Sequence, residues 1–103
     1  MELRGKQKRF LRSAAHHMQP LCQIGKGGLT DSVLDQIEDT LDRRELIKVS
    51  LLQNTDEVAE EVAEVLEREI GCDVVQVIGR ILVVFKPSSR EKYQKISVDV
   101  RKI

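Results

Sequence analysis

The sequence predicts a single α/β domain with a four-stranded mixed sheet, in the order α-β-α-β-α-β-β. Helical and strand periodicities alternate along the 103 residues. Two apolar runs, Asp73 to Ile78 and Ile81 to Lys86, are separated only by Gly79 and Arg80, the signature of a tight hairpin. The length is that of one autonomous domain, which usually has about 100–150 residues. Such a chain buries about two-thirds of the surface its unfolded form exposes, which supports one layered core and excludes a large multidomain enzyme. Hydrophobic residues make up 41% of the chain, too many for wholesale disorder, and no apolar run approaches the roughly 20 residues needed to span a bilayer. The first twelve residues hold five basic side chains and no apolar core of a secretory signal, so a cytoplasmic protein is expected.

Leu3, Phe10, Leu11, Ala14 and Met18 fall near one helical stripe interrupted by Gln7, while Arg4, Lys8 and Arg12 recur every four residues on another face. This predicts a helix from about Gly5 to His17, ended by Pro20. Leu21 to Ile24 form a short strand. Thr30 is a helix cap and Asp31 complements the dipole of a second helix, about Asp31 to Arg43, with Val33, Ile37 and Leu41 inward. Leu46 to Leu52 read as a strand. Asn54, Thr55 and Asp56 supply a turn and cap for a third helix, about Asp56 to Ile70, followed by Gly71. The two β-α-β units predict parallel pairing, and the hairpin adds an antiparallel strand. Beyond Pro87, the alternation of Ile96, Val98 and Val100 suggests an added edge strand or a mobile end. The expected organisation is a domain over residues 1–87 and a basic tail over 88–103.

Seventeen basic and seventeen acidic residues cancel, but not uniformly. Met1 to Gly28 carries six basic residues against Glu2, a net +5. Lys86 to Ile103 carries six against two, a net +4, and the stretch between them is −9. If the fold joins the ends, a neutral protein presents one positive face to phosphates and a negative face elsewhere.

Gly25, Lys26, Gly27 and Gly28 lie between a strand and a helix, where glycine lets backbone amides approach an anion. The spacing matches neither G-x-x-x-x-G-K-[ST] nor G-x-G-x-x-G. It fits G-x-x-G, a loop that grips a nucleic-acid backbone.

Taken in order, Gly5-Lys6-Gln7-Lys8-Arg9, Ala15-His16-His17, Ile24 to Thr30, Glu45 to Val49, Gln76 to Arg80 and Leu82 to Pro87 resemble the YhbY-like, or CRM-domain, RNA-binding family. The resemblance runs from about Leu3 to Pro87. It implies a fold similar to the C-terminal domain of translation initiation factor three with an added first helix. It also implies RNA binding, association with precursors of the large ribosomal subunit in bacteria, and intron splicing for plant organelle relatives. The family's loop falls on Gly25 to Gly28 and its basic helix on Lys6 to Arg12; the additional glycine, Gly27, departs from the pattern and loosens the loop.

Other features read as structural. Cys22 and Cys72 suit small buried apolar residues, and His16 and His17 suit a helix C-terminus. The Asp and Glu rows have the spacing of a solvated face. No paired carboxylates beside a His, no nucleophile with a base and no metal-ligand spacing occur, so neither catalytic residues, cofactor nor metal is expected. With only Phe10, Phe85 and Tyr93 as aromatics, base stacking gives way to backbone and shape recognition of structured RNA. The expected contacts are Lys6, Lys8, Arg9, Arg12, Lys26 and Arg80 with the loop amides. The expected partner is large-subunit ribosomal RNA or a pre-ribosomal particle, bound by a monomer, without membrane or DNA. The competing reading is a protein-protein adaptor in ribosome assembly that uses the acidic helical face.

Overall fold

Alternation along the central strands divides the molecule into layers. The computed structural model describes residues 1–103 and contains strands β1 (Cys22–Ile24), β2 (Leu46–Leu51), β3 (Asp73–Ile78) and β4 (Ile81–Phe85) in the spatial order β1-β2-β4-β3. Ile47, Val49 and Leu51 of β2 and Leu82 and Val84 of β4 point to one side. There they meet Ile37 and Leu41 of α2 (Asp31–Arg44) and Val62 and Leu66 of α3 (Ala59–Glu69), in a core cluster of 14 buried residues. Leu46, Val83 and Phe85 point to the other side, against Leu11 and Ala15 of α1 (Gly5–Ala15) and Val100 of α4 (Ile96–Arg101). At about 1.5–3 kcal/mol per buried aliphatic or Phe side chain, these two layers supply the main driving force for folding.

β1 pairs with β2 in parallel, Cys22 opposite Val49, as a β-α-β unit requires. The second unit departs from the expected parallel pairing: β4 lies between β2 and β3 and is antiparallel to both. The hairpin folds the most continuously apolar run of the chain back into the gap, where Leu82 to Phe85 are buried on both faces. Gly79 has φ +57 while Arg80 does not have positive φ, as a type II′ turn demands. A bulge separates Val74 from Gln76 on β3.

Two helix ends also differ from expectation. α1 stops at Ala15 because the His16 and Met18 amides bond back three residues to Ser13 and Ala15. α3 begins at Ala59, three residues late: the Thr55 hydroxyl accepts the Glu57 amide in a local turn and does not cap the helix. Thr30 caps α2 as expected, accepting the Val33 amide at 3.2 Å.

The chain after Pro87 is neither strand nor loose. It forms a 3₁₀ turn at Glu91–Tyr93 and then α4. The anchor is Glu45, the fully buried residue that ends α2 with φ +66. Its carboxylate accepts the amides of Ser88 (2.8 Å), Lys95 (2.8 Å) and Ser97 (3.1 Å) and the Ser97 hydroxyl. Burial pushes the Glu45 carboxyl up, but these donors outweigh it and hold the group below the ordinary carboxylate range. Asp42 accepts the Ser89 amide and the Arg90 guanidinium. The buried Gln7 side chain closes the arrangement, accepting the Arg4 amide and donating to the Val100 carbonyl.

Candidate nucleic-acid interface

The registers place three connections at one end of the sheet. Gly25 follows Ile24, whose partner Leu51 ends β2, and the β3-β4 hairpin is tied to the same point by the Leu51 amide donating to the Arg80 carbonyl at 2.7 Å. The Gly25–Gly28 loop, the 52–58 connection and the hairpin tip therefore adjoin.

Within the loop, the Gly28 amide donates to the Gly25 carbonyl at 3.0 Å, making a β-turn with Lys26 and Gly27 at its tip. Neither tip amide makes a hydrogen bond to another backbone group, and both residues are exposed. Gly28 has φ +71, and a Cβ there would lie 2.8 Å from Glu57 Oε1. Gly27 is unconstrained: its Cβ would meet only Thr30 Cγ2, at 4.0 Å. The additional glycine thus opens the tip, and the conformational requirement falls on Gly28. One acidic side chain, Glu57, packs against the loop at Gly28.

α1 supplies the second part. Helical spacing puts Arg9, Arg12 and His16 on one flank, over the sheet face that α1 leaves partly uncovered. Together with Lys48, Gln76 and Ile78 they line a cleft of about 400 Å³. Two of its cations are held in place: Arg12 Nη1 points to the Val75 carbonyl at 3.5 Å, and Lys48 Nζ donates to the His16 carbonyl at 3.3 Å. Lys48 thereby also satisfies a free carbonyl at the α1 C-terminus.

The expected site residues do not all converge. Arg9 and Arg12 share the cleft, and Lys26 stands at the loop tip. Lys6 and Lys8 are exposed but outside the cleft, and Lys8 lies within electrostatic reach of Asp73 at the start of β3. Arg80 is exposed, yet Nε and Nη2 donate to the carbonyls of Leu51 (3.1 Å) and Leu52 (2.5 Å), so its guanidinium fastens the sheet end. His16 caps α1 as its position suggests and also forms part of the cleft wall. Lys48 had a readable signal: between Ile47 and Val49, it must point away from their core and toward α1. Gln76 carried none, because the β3 bulge sets its direction.

The remaining reactive groups are quiet. Cys22 and Cys72 are buried free thiols; burial raises both, Cys72 to about 12. No group of three His, Cys, Asp or Glu side chains is arranged to hold a metal ion.

Comparisons with known proteins bear on the family and the fold. The CRS1 / YhbY (CRM) domain model matches residues 3–86. A Bacillus subtilis (strain 168) protein named "Probable RNA-binding protein YqeI" is 51% identical over 90 residues, covering 87% of this chain and 94% of that protein. A Haemophilus influenzae protein named "RNA-binding protein" is 42% identical over 89 residues, covering 86% of this chain and 90% of that one. The solution structure of the hypothetical protein SAV1595 from Staphylococcus aureus superposes with a TM-score of 0.74 at 47% identity, covering 91% of this chain and 98% of that one. With the family model spanning all four strands and relatives this similar over most of their length, the chain belongs to the CRS1/YhbY (CRM) domain family.

Proposed function

We propose that this chain is a non-enzymatic protein that binds structured RNA through the loop tip and the α1 cleft, and that its target is large-subunit ribosomal RNA during ribosome assembly. One observation carries the reading: the layers separate the charges. α2 and α3, on one side of the sheet, expose Asp35, Glu38, Asp39, Glu60, Glu61, Glu64 and Glu67, while α1, on the other, carries Lys6, Lys8, Arg9 and Arg12 and no acidic residue. A polyanion approaching such a molecule is oriented toward α1 before contact. Phosphates then meet Arg9, Arg12, Lys48 and Lys26, with the Lys26 and Gly27 amides as further donors. The names of the relatives favour RNA as the polyanion. The ribosomal target follows from the family resemblance, and a cytoplasmic monomer is the simplest form in which it would act.

Binding of the purified protein to large-subunit ribosomal RNA, followed over a salt series, tests the reading. Four phosphate contacts predict log K falling with log salt at a slope of about −3. A folded Arg12→Glu/Lys26→Glu double variant should lose the interaction. Flat salt dependence, or binding retained by the variant, would move the interaction to the acidic helices and favour a protein adaptor.

A further inference from the structure

The cleft beside α1 is shaped for something other than a duplex backbone. Small-molecule sites begin at about 300 Å³, so its volume of about 400 Å³ suits one nucleotide and is too small to enclose a base pair. Its walls are also not uniformly cationic. Arg9, Arg12 and His16 line the helix side and Lys48 stands on the sheet, with Gln76 and Ile78, two residues apart on β3, beside it.

Those two residues are unusual for their positions. Opposite Val83, Gln76 faces the α1 side of the sheet and is half-buried. Gln7 and Gln94 use their amides within the fold, but the Gln76 amide makes no such bond. An amide offers a donor and an acceptor side by side, which complements the Watson–Crick edge of an unpaired base. Ile78 remains 54% exposed, a flat apolar surface next to that amide. Arg9, Arg12 and Lys48 line the same cleft and supply the positive charge that a nucleotide's phosphate requires.

We infer that the cleft receives a single unpaired nucleotide, its base edge on Gln76 and its apolar face on Ile78, while the Gly25–Gly28 loop holds the backbone of the adjoining helix. This rests on the RNA-binding reading and deepens it: the partner is a stem interrupted by a bulged nucleotide, not an uninterrupted duplex. Every base edge offers the amide one acceptor and one donor, and pyrimidines fit best because they occupy the smaller volume.

The test compares an RNA hairpin whose stem carries one bulged uridine with the same hairpin fully paired, by fluorescence anisotropy. The wild-type chain should bind the bulged hairpin about five- to tenfold more tightly, the worth of one or two well-made neutral hydrogen bonds. Gln76→Ala and the isosteric Gln76→Glu, each checked for native circular dichroism, should lose that preference. Lys26→Glu should weaken both hairpins equally. Equal binding of the two hairpins by the wild type, or a preference that survives both Gln76 variants, overturns the nucleotide cleft while leaving RNA binding intact. Failure of the wild type to bind either hairpin overturns both.

Discussion

The two faces of the sheet are finished to different degrees. On the α2/α3 side, 14 buried residues close a core under two helices whose outer surfaces are acidic. On the α1 side, seven buried residues form a smaller core, completed only because α4 brings Val100 beside Phe85 and Leu11. The strip of sheet left over holds Lys48, Gln76 and Ile78. A complete core stabilises but offers a ligand nothing to enter, whereas the half-covered face trades apolar burial for a cleft. Stability and recognition are therefore expected to respond to different mutations.

The largest effect should come from the closed side. Leu66→Ala removes a fully buried side chain between α3 and the sheet and should cost about 2–5 kcal/mol in a urea or thermal melt. RNA affinity of the fraction that stays folded should not change. A loss of affinity with little loss of stability would mean that the two faces are not separable.

Glu45 is where the faces are joined, since it ends α2 and anchors the segment carrying α4. Glu45→Ala strips the partner from three amides and a hydroxyl and should cost about 3 kcal/mol. Val100 should then be released, visible as faster amide exchange over residues 95–101. Acid should produce a milder version of the same event. The Ser89 amide and hydroxyl and the Arg90 guanidinium lower Asp42 to about 2, and the donors to Glu45 lower that group as well. A depressed carboxylate contributes stability that is present above its unfolded value and lost as the pH falls through its folded one. The segment should therefore loosen between about pH 4 and pH 2, first at Ser89 and Ser97 in an NMR titration. Loosening only above pH 5 would exclude these carboxylates as the anchor.

This joint also marks what could be read in the sequence. β3 and the hairpin turn were legible to the residue, β4 and α2 to within one, and the family resemblance covered the chain to Pro87. α4 was not legible, because its first turn is bonded by a carboxylate some fifty residues away. Without that long-range partner, Ile96, Val98 and Val100 show only a spacing of two; in the helix, Ile96 and Val100 pack inward and Val98 is left at the surface. The neighbour relation of β4 was hidden for the same reason, since a hairpin specifies its own pair and not the strand on its other side. At the site, the loop and the basic helix could be read from local composition. The direction of Lys48 followed from strand alternation, but the tied state of Arg80 and the arrival of Gln76 beside α1 depend on register and on the β3 bulge, which no local pattern encodes.

On the open side, charge reversal should separate binding from folding. Arg12→Glu/Lys26→Glu should weaken RNA binding by about 30-fold or more, yet shift stability by no more than about 1 kcal/mol, because Lys26 is exposed and half-buried Arg12 gives up only a long contact to the Val75 carbonyl. Glu61→Lys/Glu64→Lys on α3 makes a charge change of the same size on the opposite face. It should leave affinity unchanged or raise it slightly through the weaker long-range field. A gain in the α3 pair as large as the loss in the Arg12/Lys26 pair would show that only net charge matters.

The smallest and most local contrast lies within the glycine loop. Gly28→Ala forces a side chain into φ +71 and against the Glu57 carboxylate, so it should cost about 1–2 kcal/mol of stability, moderated by the freedom of Glu57 to turn away. Gly27→Ala meets no obstacle and should be neutral in a melt, or stabilising by a few tenths of a kcal/mol through the reduced freedom of the unfolded chain. If a phosphate approaches the tip amides, the added methyl at Gly27 stands beside its path, and RNA affinity should fall about two- to fivefold with no loss of stability, since a displaced neutral hydrogen bond is worth about 0.5–1.5 kcal/mol. Unchanged affinity in Gly27→Ala would instead assign the contact to the Lys26 side chain and leave the tip amides to solvent.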